Sequence, residues 1–188
     1  MKDGYVFQDI HRNFTNVTIL THLYRCFVNP SYRIIWLFRL LHLGGGNNLI
    51  YKVLHLYYTR YANKYSIILH PSTKIGAGLQ FPHNGPIVIN AAAVIGENCI
   101  IHPCTLIGGD RKTGTPIIGN NVFIGHGSKI IGKISIGNDV FIAPGAILTK
   151  DVDDNYIVGS GVNNIIRKTG GKDAYNRYSA NKKDYNNS

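Results

Sequence analysis

Acidic side chains are scarce in this chain of 188 residues: 10 Asp and Glu stand against 20 Lys and Arg, for a formal net charge of +10. Such a field favours anionic partners, whether nucleic acid, a phosphate-bearing cofactor or an acidic lipid surface. The charge is scattered and no reader motif accompanies it, so nucleic acid is not expected as a partner. Cysteine is also scarce. Cys26, Cys99 and Cys104 are odd in number and follow no metal-ligand spacing, which argues against a disulfide framework and for reduced thiols in a cytoplasmic setting. Long apolar runs are missing. YRIIWLFRLLHL (32–43) and LIYKVLHLYY (49–58) are too short and too charged to span a bilayer and read as helices. The opening MKDGYVFQDIHRN has no apolar core of the kind a secretory leader needs. What remains is a soluble chain with one main domain and a small appendage.

Glycine, by contrast, is plentiful, at 21 residues, and isoleucine falls on a beat. Leu69, Ile75 and Phe81 stand six apart; so do Ile89, Ile95, Ile101 and Ile107, and again Ile118, Ile124, Ile130, Ile136, Ile142 and Leu148. Four residues after successive aliphatic positions come Ala93, Cys99, Thr105, Val122, Ser128, Ile134, Val140 and Ala146, mostly small or β-branched, as a narrow interior requires. Gly follows the aliphatic residue at Ile75, Ile95, Ile107, Ile118, Ile124 and Ile136, where a tight corner needs a permissive backbone. Each hexad therefore makes one short strand and one turn, and three hexads make a triangular coil. Stacked coils bury their aliphatic columns in a solenoid. The fold expected is mainly β, a parallel β-helix of hexapeptide repeats behind an N-terminal helical region.

The beat breaks twice. Phe81 to Ile89 is eight residues, so two extra residues occupy the corner that contains His83. Ile107 to Ile118 is eleven, so five extra residues leave the wall at GGDRKTGTP (108–116). Polar excursions from a strict repeat are where such scaffolds carry function. Phe81, Ile101, Ile124 and Ile142 share one face, so His83, His102 and His126 follow it and should line one edge, about 4.8 Å apart per coil. No carboxylate joins the column and no ligand spacing recurs, so a metal is not expected. An imidazole in an enlarged corner suits a general base near neutral pH. His102, before Pro103, and His126, between glycines, read equally well as plain corner residues.

Three stretches carry a resemblance: PSYRIIWLFRLLHL (30–43), LHPSTKIGAGLQFPHNGPIVIN (69–90) and TLIGGDRKTGTPIIGNNVFIGHGSKIIGKISIGNDVFIAPGAILTKDV (105–152). Together they resemble the serine acetyltransferase branch of the hexapeptide-repeat acyltransferases, and especially relatives that O-acetylate sugars in bacterial surface-polysaccharide pathways. The resemblance implies a left-handed coil, a homotrimer, and acetyl-CoA as cosubstrate in the cleft between adjacent β-helices. It places His83 on the catalytic histidine, which removes the acceptor hydroxyl's proton for direct attack on the thioester. No acyl-enzyme is needed, so Cys99 and Cys104 read as wall residues. A backbone N–H near Gly108 or Gly109 would steady the oxyanion. Lys150, Arg167 and Lys168 would meet the anionic phosphates of CoA. Gly125, Gly127, Ala143 and Gly145 would let its pantetheine arm pass close to the backbone. Asn84, His102, Asp110, Arg111 and Lys112 are the candidates for the acceptor.

The departures shift the expected acceptor. Ile68 stands where serine acetyltransferases carry the Asp that orients the histidine, Pro82 replaces the acid just before it, and Lys112 replaces a second histidine, while Arg111 is kept. A sugar hydroxyl is therefore the expected acceptor, free serine the alternative, and a non-catalytic binding or scaffold β-helix the alternative from another class. The expected organisation is a helical region over 1–65, the coil over 66–168 and a flexible, polar, basic tail over 169–188. The expected location is the cytoplasm, with at most peripheral association at the inner face of the cell membrane.

Overall fold

The computed structural model describes residues 5, 8–9, 19–44, 46, 48–110 and 113–179. Helix α1 (Ile19–Val28), α2 (Pro30–Gly44) and α3 (Leu49–Lys64) precede the coil. Asn29 starts α2, its Oδ1 accepting from the Tyr32 N–H at 3.0 Å, with Pro30 at the first helical position, where a missing N–H costs nothing. Asn48 caps α3 in the same way through the Tyr51 N–H at 2.8 Å. Helix α2 is the central one. Its Ile34, Ile35, Phe38 and Leu41 are buried in one cluster with Tyr58 and Ala62 of α3 and with the first coil residues Ile67 and Leu69.

The coil is the parallel β-solenoid that the hexads predict. One sheet stacks β1 (Ile67–Leu69), β3 (Ile87–Ile89), β6 (Thr105–Gly108), β9 (Lys129–Ile131), β12 (Ala146–Leu148) and β14 (Gly161–Val162). A second stacks β2 (Lys74–Ile75), β4 (Val94–Ile95), β7 (Ile117–Ile118) and β10 (Ser135–Ile136). The third stacks β5 (Ile100–Ile101), β8 (Phe123–Ile124), β11 (Phe141–Ile142), β13 (Ile157–Val158) and β15 (Ile165–Arg167). All pairings are parallel except β13 with β15, where the chain turns back on itself. Register confirms the three aliphatic columns: Leu69, Ile89 and Ile107; Ile75, Ile95, Ile118 and Ile136; Ile101, Ile124, Ile142 and Val158. The small second column, from Ala93 to Ala146, is buried throughout, including Thr105 and Ser128. Their hydroxyls are satisfied by the carbonyls of His102 and Ala143.

One buried ion pair ties the N-terminal region to the coil. Arg39 of α2 donates to Asp9 at 2.6 Å and to the carbonyl of Ile75 at 2.7 Å, while Asp9 Oδ1 accepts from the N–H groups of Gly78 and Leu79. A buried charge is tolerable when it is paired and its remaining hydrogen-bonding capacity is met, as here.

The end of the chain corrects an expectation. Residues 171–179, placed in the flexible tail by the sequence, form helix α4 (Gly171–Ser179). Ala174 and Tyr175 are buried, Tyr175 against Ile100 and Phe123 on the outer face of the third sheet, and the Tyr175 hydroxyl donates to the Asn98 carbonyl at 2.7 Å. The segment is polar apart from Ala174, Tyr175 and Tyr178, too few apolar positions to announce a helix, and its partners lie about four coils away in the sequence.

Candidate active site

The triangular coil has three edges, and the corners between strands sort the candidate residues among them. The edge from the third sheet to the first carries residues 82–86, 102–104, 125–128 and 143–145. His83, Asn84, His102, His126, Gly125, Gly127, Ala143 and Gly145 therefore share it. The edge from the first sheet to the second carries Gly109, Asp110 and Lys150, with Gly108 closing β6 beside them. Arg111 and Lys112 lie outside the described residues. Arg167 ends β15 at the far end of the coil, with Lys168 after it, both exposed. The proposed phosphate ligands are thus not brought together: Lys150 sits on one edge, Arg167 and Lys168 at the end of another face.

On the histidine edge the rings form a ladder. The centroids of His83 and His102 are 5.8 Å apart, those of His102 and Phe123 4.9 Å, and Phe123 and Phe141 stack at 4.6 Å with an 8° interplanar angle. Tyr178 of α4 closes the ladder against both phenylalanines. His83 is exposed at its open end, while His102 is half-buried. Burial, and then the neighbouring His83 and His126, push the His102 pKa below its ordinary 6.5. His102 is therefore neutral at pH 7 and sets no positive charge beside His83.

Nothing among the described residues hydrogen-bonds the His83 ring, so none of them substitutes for the missing carboxylate. Asn84 does not serve. Its Oδ1 is engaged by the first turn of α2, accepting from the Ser31 N–H at 3.1 Å and the Ser31 hydroxyl at 2.6 Å. That bond pins the enlarged corner to the helical region, which the sequence did not reveal because 53 residues separate the partners. Ile68 lies on the outer face of β1, 57% exposed, beside Val88 of β3, so the position of the expected Asp is an apolar surface.

The two cysteines part company. Cys99 is buried in the wall as expected. Cys104 is not a wall residue. It is exposed on the histidine edge with φ 61°, in the corner position where later coils have Gly127 and Gly145. Those two glycines also have positive φ, and a Cβ at Gly145 would meet nothing within 4 Å. The edge beside His126 is thus a bare strip of backbone open to an extended ligand. The 108–116 excursion is ordered at its base: Asp110 and Gly114 exchange backbone hydrogen bonds of 2.8 and 2.9 Å, and Thr113 donates to Asp110.

Comparison with known proteins agrees with this geometry. The bacterial transferase hexapeptide (six repeats) family matches residues 115–150. The mitochondrial serine acetyltransferase 3 of Arabidopsis thaliana is 40% identical over 117 residues, which is 61% of this chain and 29% of that protein. The serine acetyltransferase of Synechococcus elongatus is 31% identical over 105 residues, 54% of this chain and 43% of that one. The crystal structure of serine acetyltransferase from Brucella abortus superposes with a TM-score of 0.71 at 27% identity, covering 89% of this chain and 69% of its own. Soybean serine acetyltransferase complexed with serine gives 0.72 at 26%, covering 88% and 69%. The chain spans between 29% and 43% of the length of the curated relatives it matches. It carries the hexapeptide repeat of bacterial transferases and has serine acetyltransferases as homologues. The expected likeness to polysaccharide O-acetyltransferases finds no support in these comparisons.

Proposed function

We propose that this chain transfers an acetyl group from acetyl-CoA to a hydroxyl, with His83 as the general base. The observation that carries the reading is His83 itself: an exposed imidazole in an enlarged corner, at the open end of a ring ladder, on the same edge as the bare glycine strip. A ring nitrogen of His83 takes the acceptor's proton as its oxygen attacks the thioester carbonyl. The proton then passes to the departing thiolate, so CoA leaves as the thiol and the imidazole is restored. Gly125, Gly127, Ala143 and Gly145 form the backbone wall for the pantetheine arm, and an N–H near Gly108 or Gly109 is the donor assigned to the oxyanion. Lys150 on the loop edge, and Arg167 with Lys168 at the end of the third sheet, are assigned to the phosphates as separate contributions rather than as one cluster. Histidine edge and loop edge lie on opposite sides of one sheet face, so a site using both is assembled between copies. That geometry supports the homotrimer, in which the loop edge carrying Asp110 in one copy would meet the histidine edge of the next; Arg111 and Lys112 stay candidates for the acceptor from the sequence alone.

For the acceptor, the comparisons favour free serine over a sugar, since the relatives named above are serine acetyltransferases. A sugar hydroxyl is kept as the second reading on one observation. Within one chain the surface beside the His83 corner is apolar at Ile68 and Val88, where the Asp of the serine acetyltransferases is expected. The test is CoA release from acetyl-CoA with serine and with a panel of sugars and nucleotide-sugars, wild type against His83→Ala. Release that depends on one acceptor and disappears in the variant supports transfer and chooses between the two. Silence together with no thermal shift on adding CoA overturns the reading in favour of a non-catalytic coil.

A further inference from the structure

We propose that the outer face of α1 and α3 is a docking surface for an anionic lipid bilayer. The surface is apolar where a soluble helix should be polar. On α1, Leu20, Leu23, Tyr24, Phe27 and Val28 recur at three- and four-residue intervals, a complete amphipathic stripe, and every one is exposed, with Leu20 at 79% and Phe27 at 80%. On α3, Leu49, Ile50, Val53, Leu56 and Tyr57 form a second exposed stripe. Ring contacts join the two: the Arg33 guanidinium lies 5.6 Å from the Phe27 centroid and 4.9 Å from that of Tyr61, which stacks on Tyr57. Single exposed apolar residues are ordinary, but a joined pair of stripes marks an interaction surface.

Charge decides the occupant. From residue 10 to residue 96 the sequence contains no Asp or Glu. Asp9, just before that stretch, is buried with Arg39. Lys52, Arg60 and Lys64 are exposed on α3, the last two continuing its apolar stripe toward the C-terminus of the helix. Copies meeting through this face about a two-fold axis would set cations against cations with no acid to offset them. A bilayer with anionic headgroups complements both features at once, taking the Leu, Ile and aromatic side chains into its interface and the Lys and Arg at its surface. No helix among the described residues is long and apolar enough to cross a membrane, so the contact lies in the interfacial plane. The inference does not depend on the acetyl-transfer reading, since its readout is binding.

The test uses the full chain in vesicle co-sedimentation, with phosphatidylcholine alone and with phosphatidylcholine mixed with phosphatidylglycerol. Binding to the anionic vesicles only, weakened by salt, is expected. Arg60→Gln with Lys64→Gln should weaken it by on the order of tenfold. Leu20→Ser with Ile50→Ser, at two of the most exposed apolar positions, should weaken it at least as much while leaving the circular dichroism unchanged. Equal binding to neutral vesicles, binding that survives both double variants, or no binding at all would overturn the proposal. So would a fall in solution mass on Leu20→Ser with Ile50→Ser, which would assign the face to a second copy.

Discussion

Two edges of the same coil meet the same backbone problem and solve it oppositely. Each needs a residue in left-handed conformation once per turn. The edge between the second and third sheets uses Asn98, Asn121, Asp139 and Asn155, with φ between 56° and 63°; the histidine edge uses Cys104, Gly127 and Gly145. On the asparagine edge the neighbouring side chains are committed to the backbone of the coil before. Asn120 Oδ1 accepts from the Glu97 N–H, Asn138 from Asn120 and Asp154 from Asn138, at 2.6 to 2.8 Å. On the histidine edge the glycines leave main chain uncovered and the imidazoles project outward. One edge is sealed and the other is left open, and an open edge is where a ligand can lie.

The contrast is broken most directly at His83. Because its ring is exposed and meets the ring ladder only at His102, His83→Ala should lower acetyl transfer by about a hundred- to ten-thousand-fold and change the unfolding temperature little. A rate within a few fold of wild type would remove the histidine edge from catalysis. Glycine substitutions sharpen the comparison next. A Cβ at Gly119, on the asparagine edge, would stand 2.7 Å from the Gly137 carbonyl oxygen and 2.8 Å from Asn138 Oδ1. Gly119→Ala should therefore cost about 1–3 kcal/mol in denaturant unfolding. Gly145→Ala meets open space and only the strain of φ 73°, about 1 kcal/mol, yet it should weaken CoA binding where Gly119→Ala does not. Equal stability losses would mean that the two edges are packed alike.

Smaller effects follow. Asn138→Ala withdraws the acceptor from the Asn120 N–H and should lower stability by about 1 kcal/mol without touching activity. His102 supplies the smallest. Its folded pKa is depressed by burial, so only well above pH 6.5 is it neutral in both states and without effect. As pH falls below 6.5 the unfolded chain takes up the proton first, and stability declines until the folded-state pKa is passed. Unfolding followed between pH 7 and pH 5 should show that slope in wild type and a shallower one in His102→Gln.

Much of this contrast can be read from the sequence, though not all of it. The hexad phase alone puts His83, His102 and His126 on one edge, because a period of six leaves no freedom in which corner a residue occupies. The same phase puts Lys150 with the 108–116 excursion on another edge, which separates it from the glycine strip. The Gly-Glu-Asn, Gly-Asn-Asn and Gly-Asn-Asp triplets at 96–98, 119–121 and 137–139 were the visible signal of the asparagine edge. Pairings across long separations were not legible. Asp9 with Arg39, Ser31 with Asn84, and Tyr175 with Asn98 each depend on how the helices sit on the coil, and periodicity within either part carries no information about that. Spacing does place Cys104 outside the buried column, since its neighbour Thr105 occupies that column, so its exposure on the corner is legible although the wall reading passes over it.

The antiparallel return of β15 on β13 has a consequence for solubility. A stack of parallel coils ends in strands whose N–H and C=O groups point along the axis, ready to receive one more coil from any other molecule. Reversing the last strand presents a direction that a parallel newcomer cannot match, and the helical region covers the opposite end. A chain shortened before residue 165 would expose β13 and turn each monomer into a template for the next, so that the product of truncation would be fibres rather than a smaller protein.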